Sequence, residues 1–342
     1  MVDGSPLAKT TRRITLATMF VGAAMLGGRR SFAGLRSAGL LQTMPSALTM
    51  ATGSPGCGFA TYGPALAMAM QRKTHVPVSF RVSGGSAANI LLLEQRAVDI
   101  GFASLVVASQ AWTGTSTWTG GLAMHGFRAL FPVCDQQLQV VTPEDRGIKR
   151  LVDLDNACIG IGPAGSASAV LVPDLLHALR IAPRRYQEGG FAEQIADLGS
   201  GALDACAFFG VSPLRAIESA ALSGRYTLIG CNDTEAKAMC RSVTGLTPSI
   251  IARSALPALS ESVATVGSAA LALSRTDLPD SLAASLTNAA LANQRALLSA
   301  AGVVVPPPSD WLHAVDAVEI HPGAAPELRK HGFVVPEQLV KS

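Results

Sequence analysis

The sequence predicts an α/β protein of two lobes, each lobe a mainly parallel sheet with flanking helices. Two stretches, residues 46–103 and 158–209, each alternate strand-like with helix-like segments, which is typical of parallel sheets. Several of the predicted strands end in a turn that is rich in glycine and hydroxyl side chains. With 342 residues, 49% of them hydrophobic and 15% charged, the chain can bury two ordinary cores.

The first predicted lobe begins with a strand at residues 46–51 and a helix at 64–73, whose apolar residues recur at helical spacing. Residues 76–82 alternate between apolar and polar like a half-buried strand. A helix over 86–97 and a short strand over 98–103 follow. This order predicts three parallel strands with helices between them.

The second predicted lobe repeats this architecture after a strand at residues 138–141. Pro173 lies inside one of its helices and is expected to kink it, since proline cannot donate the interior hydrogen bond. The remaining predicted segments are a short helix at 148–154, a strand at 158–162, helices at 166–179 and 193–198, strands at 205–209 and 266–274, and helices at 280–298 and 310–318.

The N-terminal residues 1–33 are predicted to be a secretory signal peptide. Basic residues precede an apolar run over 14–28, and Ser31-Phe32-Ala33 provides small residues for cleavage. The pair Arg12-Arg13 leaves both the general secretory route and twin-arginine export open. A membrane anchor is disfavoured because the run is shorter than the ~20 residues that span a bilayer. The protein is therefore expected in the periplasm.

The overall charge excludes some classes of partner. Removing residues 1–33 takes five Lys or Arg and one Asp from the 27 basic and 24 acidic residues, which leaves a formal charge of −1. No basic stripe with interleaved aromatic residues occurs, so nucleic acid is not an expected partner. No His, Asp or Glu cluster has the spacing of metal ligands, and neither a metal nor a cofactor is expected.

Six cysteines follow the predicted cleavage site, and an even number permits disulfides in an oxidising compartment. Cys231 and Cys240 are the one pair near enough in sequence to suggest a local bridge, and the pairing stays open. The other four lie in apolar or glycine-rich runs, as small buried hydrophobic residues do. No CxxC pair supports zinc or redox chemistry.

Three turns, which we call elbows, carry the functional hypothesis: elbow 1 at residues 51–56, elbow 2 at 84–86 and elbow 3 at 162–166. Glycine lets the backbone approach a ligand closely, and the first N–H groups of the following helix attract negative charge. Ligands of parallel sheets bind beyond the carboxyl ends of the strands, where these elbows are predicted. Ordinary helix capping explains any single elbow equally well, but three together favour a cleft for a small organic anion.

Two enzymatic interpretations use the same residues. Residues 160–165 spell G-x-G-x-x-G with Glu188 further on, as in dinucleotide-binding proteins, but the polar, proline-containing segment before Glu188 does not resemble the required strand. An exported serine hydrolase needs a histidine base, and no recognisable pairing or G-x-S-x-G motif is present. Catalysis is therefore not expected, and the hydrolase remains an alternative.

The ordered set of motifs resembles the TAXI solute receptors of TRAP transporters. The resemblance rests on elbow 1, on elbow 2 with Asn89, on Gly160 to Ser166, on Ser274 to Pro279 and on His321-Pro322-Gly323-Ala324, and it covers nearly all of the chain beyond residue 33. It implies a periplasmic receptor of the two-lobed, type II-like binding-protein fold with two crossover strands, near residues 138–141 and 270–274.

The resemblance further implies lobe I at residues 46–140 plus 275–342 and an inserted lobe II at 141–274. The receptor is expected to be a monomer that delivers an amino acid or another carboxylate to a TRAP-type membrane permease; a ligand-sensing partner of a membrane signalling protein would share the same cleft. The residues expected to bind the ligand are Thr52, Gly53, Ser54, Phe59, Ser86, Asn89, Ser104, Pro163, Gly165, Ser166 and Phe208.

One departure from the family concerns ligand choice. Family members usually carry a tyrosine pair shortly after elbow 1, where this chain has Phe59-Ala60. The loss of two hydroxyl groups penalises a ligand that would need them, since its polar group is left unpaired. Phe208 and Phe209 alternate along a strand, so only one of them can face the cleft.

Overall fold

A computed structural model describes residues 44–221, 225–256, 259–302, 311 and 317–340. The predicted signal peptide and most of the predicted helix at 310–318 lie outside the described residues. The described strands are β1 Leu48–Ala51, β2 Val78–Arg81, β3 Ile100–Ser104, β4 Phe127–Pro143, β5 Cys158–Gly160, β6 Arg185–Gln187, β7 Ala205–Gly210, β8 Tyr226–Ile229, β9 Thr247–Ile251 and β10 Val263–Arg275.

Helices flank the sheet and follow most of the parallel strands. The described α-helices are α1 Gly58–Thr74, α2 Ser86–Glu94, α3 Leu105–Thr113, α4 Ala167–Ala178, α5 Phe191–Ser200, α6 Arg215–Ala221, α7 Asp233–Ser242, α8 Asp280–Ala292, α9 Gln294–Ala300 and α10 Ala325–Lys330.

The strands form one continuous sheet in the order β2-β1-β3-β10-β4-β7-β5-β6, with β8 paired to β4 and β9 paired to β10. The groups β2-β1-β3 and β7-β5-β6 are joined by the long antiparallel strands β4 and β10. The pairs β1–β2, β1–β3, β5–β6 and β5–β7 are parallel. This is a mixed α/β sheet with two parallel parts, which agrees with the predicted fold class.

The long strands explain where the two parts of the sheet meet. Strand β4 pairs with β10 over Phe127–Gln137 and with β7 over Gln137–Val141. Both predicted crossover segments, 138–141 and 270–274, lie within these strands. The predicted lobe boundaries at residues 140 and 275 remain a prediction.

Several predicted elements differ in extent. Strand β4 begins at Phe127, eleven residues before the predicted strand, because a central strand covered on both faces shows an apolar run instead of an alternation. The predicted helix at 280–298 is divided at Asn293 into α8 and α9. The predicted helix at 148–154 is a single 3-10 turn, Leu151–Leu154.

The elements that the sequence analysis missed are α3, α6, α7, β6, β8 and β9. Strand β6 has three residues and β8 has four, so neither is long enough to show an alternation of apolar and polar residues. Cys231 and Cys240 are free thiols in the structure, so the local bridge that the sequence permits is not formed there.

Helix α1 packs on the sheet beside elbow 1. The ring of Phe102 in β3 stacks on Phe59 at 5.3 Å between centroids and meets Tyr62 edge-on at 5.7 Å. All three side chains are buried. These contacts fix the start of α1, and therefore elbow 1, against the end of β3.

Candidate functional site

Elbows 2 and 3 touch each other across the junction between the two parts of the sheet. The Ala88 N–H, in the first turn of α2, donates to the Gly165 carbonyl at 3.1 Å. A Cβ atom at Gly84 would lie 1.9 Å from the Ala164 carbonyl oxygen, which leaves no room for any side chain. The structure therefore shows a closed arrangement of the elbows.

A small cavity of about 30 Å³ lies beneath this contact. It has room for only a few waters, so the two sides must move apart to admit a ligand. Helices α2 and α4 both begin at its wall. The cavity is lined by Cys57, Gly58, Phe59, Gly84, Gly85, Ser86, Gln136, Ser166, Ala167, Phe191, Phe209, Gly210, Val211 and Leu214.

Two hydroxyl groups in this wall can donate to an anion. The Ser86 Oγ accepts the Ser104 N–H at 3.0 Å, and the Ser166 Oγ accepts the Ala169 N–H at 3.1 Å as the cap of α4. Each hydroxyl is used as an acceptor in these bonds, so its proton is left to donate to a ligand. The first N–H groups of α2 and α4 add further donors, because the first turn of a helix has no intrahelical acceptor for them.

Asn89 has a structural role, although the sequence analysis expected it to bind the ligand. Its side-chain N–H groups donate to the Thr52 carbonyl at 3.1 Å and the Phe102 carbonyl at 2.8 Å. Its Oδ1 accepts the Ser83 hydroxyl at 2.5 Å. The buried amide thus ties elbow 1, elbow 2 and the end of β3 together.

The structure brings only part of the expected set to the cavity. Phe59, Ser86 and Ser166 line it, whereas the Ser54 hydroxyl donates to the Ser83 carbonyl at 3.1 Å and supports elbow 2. The buried Ser104 hydroxyl lies beside the wall and lacks a hydrogen-bond partner among the described residues. The remaining expected residues, which are not part of the lining, are Thr52, Gly53, Asn89, Pro163, Gly165 and Phe208.

Phe209, and not Phe208, faces the cavity. Phe209 pairs with Leu138 in β4, while the Phe208 ring is fully buried edge-on against Phe191, with 5.0 Å between centroids. Alternation along β7 allows only one of the two to line the cavity, and the sequence could not show which.

Gln136 is the most informative residue that the sequence analysis missed. It lies in β4, it is 4% exposed, and its Oε1 lacks a hydrogen-bond partner among the described residues. The polar run Asp135-Gln136-Gln137 in an otherwise apolar strand was the available signal. Phe191, Val211 and Leu214 also line the cavity, and apolar residues of this kind carry no comparable signal.

The electrostatics of the cavity depend on dipoles and hydroxyl groups. None of the described residues in the lining carries a charged side chain, and burial raises the pKa of the Cys57 thiol, which keeps it neutral. Next to Gln136, on the opposite face of β4, partial burial raises the pKa of the Asp135 carboxyl to about 6. Ionising Asp135 therefore costs more free energy in the folded protein than in the unfolded chain.

Asp135→Asn is expected to stabilise the protein at pH 8 and to have little effect below pH 4. The raised pKa means that the folded state binds the proton more tightly than the unfolded state, so the wild type loses stability as the pH rises through about 6. Urea unfolding of both proteins between pH 4 and pH 8 measures this difference. A stability difference that does not change across that range would contradict the shift.

The sheet topology and the cleft define a two-lobed, type II-like periplasmic binding-protein fold. The chain belongs to the NMT1-like family, whose model matches residues 50–332. MatC from Rhodopseudomonas palustris, solved with bound malate, is 16% identical, with a TM-score of 0.53 over 86% of this chain and 99% of MatC. PhnD1 from Prochlorococcus marinus, solved with methylphosphonate, is 12% identical, with a TM-score of 0.50 over 76% of this chain and 91% of PhnD1.

None of the described helices combines the length and the apolar character needed to cross a bilayer. No group of three or more His, Cys, Asp or Glu side chains among the described residues is arranged to hold a metal ion.

Proposed function

We propose that this protein is an extracytoplasmic solute-binding protein of a TAXI-type TRAP transporter. It captures a small organic anion between its two lobes and delivers it to a TRAP-type membrane permease. The observation that carries the proposal is the meeting of elbows 2 and 3 at one small cavity, whose wall also holds Cys57, Gly58 and Phe59 directly after elbow 1. Two helices begin at this cavity, and two hydroxyl groups there can donate.

Closure follows from the same contacts. A ligand that touches elbow 2 and elbow 3 together makes its full set of hydrogen bonds only when the elbows approach each other, so binding shifts the population toward the closed state. The Ala88 to Gly165 hydrogen bond would form part of this closed state. The two long strands β4 and β10 are the connection about which the lobes would move.

The ligands of two proteins with a similar fold support an anionic ligand. MatC was solved with malate and PhnD1 with methylphosphonate, and both ligands are anions. The ordered motifs described above provide the support for the TAXI type. The predicted signal peptide at residues 1–33 supports a periplasmic location, and a monomer is the expected state.

The cavity favours binding over hydrolysis. No described histidine lines it, so Ser86 and Ser166 have no general base within the described lining. Their hydroxyl groups instead accept backbone N–H bonds, which fixes their orientation.

A thermal-shift screen of amino acids, dicarboxylates and aromatic acids tests the function. A ligand present at 100 times its Kd stabilises the folded protein by about 2.7 kcal/mol, which is readily measured. We expect at least one carboxylate to stabilise the protein. Absence of any stabilisation, or ester turnover that disappears in Ser166→Ala, would contradict the proposal.

Ser86→Ala and Ser166→Ala are each expected to weaken binding of the best carboxylate of that screen about tenfold, as loss of a charge-assisted hydrogen bond does. Ser166→Ala also removes the cap of α4, so its unfolding is measured alongside to separate stability from affinity. Ser200→Ala, an exposed hydroxyl in α5, is the control. Isothermal titration calorimetry with unchanged affinity in both site variants would remove these elbows from the site.

A further inference from the structure

Three buried polar side chains lie in a row across β4, β10 and β3, and one of them, Gln136, lines the cavity. Gln136 in β4 lies directly opposite Ser268 in β10, and Ala270, two residues further along β10, lies opposite Ser104 in β3. Opposite residues and residues two apart share one face of a sheet, so the three polar side chains lie in one row. The Gln136 Oε1, Ser268 Oγ and Ser104 Oγ all lack hydrogen-bond partners among the described residues.

Leaving these three buried polar groups without hydrogen bonds destabilises the folded protein unless another group supplies the missing bonds. A buried polar group without a partner loses its hydrogen bond to water and gains nothing in return, and such groups are rare in folded proteins. Gln136 is 4% exposed and lines the cavity, so a bound ligand is placed to supply the missing bond. Its Oε1 is an acceptor, so the ligand must offer a donor.

The charge of that donor follows from the rest of the lining. A buried ammonium needs a carboxylate partner, since an unpaired charge in an apolar site costs several kcal/mol. None of the described residues that line the cavity is an Asp or a Glu. A hydroxyl group, which is a neutral donor, fits this wall, whereas the α-ammonium of an amino acid does not.

We propose that the ligand is a short hydroxycarboxylate, and that Gln136 is the residue that selects it. This inference rests on the proposed function. The carboxylate lies at elbows 2 and 3, where Ser86, Ser166 and the helix starts donate to it. The hydroxyl group lies toward β4 and donates to the Gln136 Oε1. Gln136 thereby distinguishes a hydroxy acid from the amino acid and from the unsubstituted acid of the same shape.

Calorimetry with matched acids tests the selection. The probes are lactate, propionate and alanine, and malate, succinate and aspartate, with both enantiomers of each chiral acid. In at least one series we expect the hydroxy acid to bind about tenfold or more tightly than its two analogues, because each analogue either leaves the Gln136 acceptor unpaired or buries an unpaired charge. An amino acid or unsubstituted acid that binds as tightly as the hydroxy acid in both series would overturn the inference.

Two variants test whether the Gln136 side chain causes the preference for the hydroxy acid. Gln136→Leu keeps the volume and removes the acceptor, so the advantage of the hydroxy acid should fall to less than about twofold. Gln136→Glu provides a carboxylate, so the preference should move toward the amino acid. Ser274→Ala is the control, since Ser274 is another buried hydroxyl of β10 without a partner but lies at the far end of the strand, opposite Arg128.

The outcomes separate this inference from the proposed function. Binding of carboxylates without preference for the hydroxy acid defeats the inference and leaves the function standing, whereas binding of no carboxylate defeats both. Gln136→Leu that keeps the full preference also overturns the inference. Should Gln136→Leu fail to fold, as judged by circular dichroism, the wild-type series and Gln136→Glu decide the matter.

Discussion

Gly84→Ala is expected to prevent closure of the two lobes and to weaken ligand binding about a hundredfold. The added Cβ would lie 1.9 Å from the Ala164 carbonyl oxygen. This oxygen belongs to the backbone, so it cannot turn aside as the end of a flexible side chain could. Forcing an extra methyl group into a packed contact costs up to about 3 kcal/mol, which corresponds to a factor of about one hundred. The cost is confined to the closed state, so the apparent affinity falls with the closed population.

Two measurements check this result. Calorimetry with the best carboxylate of the thermal-shift screen gives the affinity, and hydrogen exchange under saturating ligand reports the Ala88 N–H, whose acceptor is the Gly165 carbonyl. The control is Gly190→Ala, because a Cβ at Gly190 would make an ordinary contact of 3.6 Å with the Glu193 carboxylate. Wild-type affinity together with wild-type protection of Ala88 in Gly84→Ala would show that the elbows do not close on the ligand.

Asn89→Ala is expected to destabilise the protein by about 3 kcal/mol. The substitution removes three hydrogen bonds and leaves the buried Thr52 and Phe102 carbonyls and the half-buried Ser83 hydroxyl without this partner. Each buried group left unpaired costs about 1–3 kcal/mol, partly offset where water can enter. Urea unfolding measures the loss.

Asn293→Ala provides the matched control, since the Asn293 side chain makes one local bond, to the Ala289 carbonyl at 2.8 Å. Its loss should cost less than about 1 kcal/mol. If Asn89→Ala were no less stable than Asn293→Ala but bound ligand much more weakly, Asn89 would be a ligand contact, as the sequence analysis expected, and not a support of the elbows.

Helices and strands whose apolar residues recur in a clear pattern were predictable from the sequence. Helices α1, α2 and α4 and strands β1, β3 and β7 lie where the alternation of segments places them, because each buries one continuous stretch of apolar residues. Strand β4 was only partly predicted, since its first half is apolar on both faces and has no period.

The candidate site was predictable only in its backbone. Glycine and hydroxyl turns identified all three elbows, because close approach and helix starts require particular residue types. Which hydroxyl groups are free to donate was not predictable: the bonds of Ser54 and Asn89 to neighbouring carbonyls depend on segments that lie 29 and 37 residues away in the chain.

By itself, therefore, the sequence determined the alternation of strands and helices and the resemblance to a family of receptors, and it predicts an anion-binding role for the elbows. These properties are local, because a few neighbouring residues fix a turn or a helix start. The tertiary structure decided that elbows 2 and 3 meet, that Phe209 takes the place expected for Phe208, and that Gln136 lines the cavity with an unpaired acceptor. Each of these depends on pairing between distant strands, which sets the face of every side chain and which no local pattern encodes.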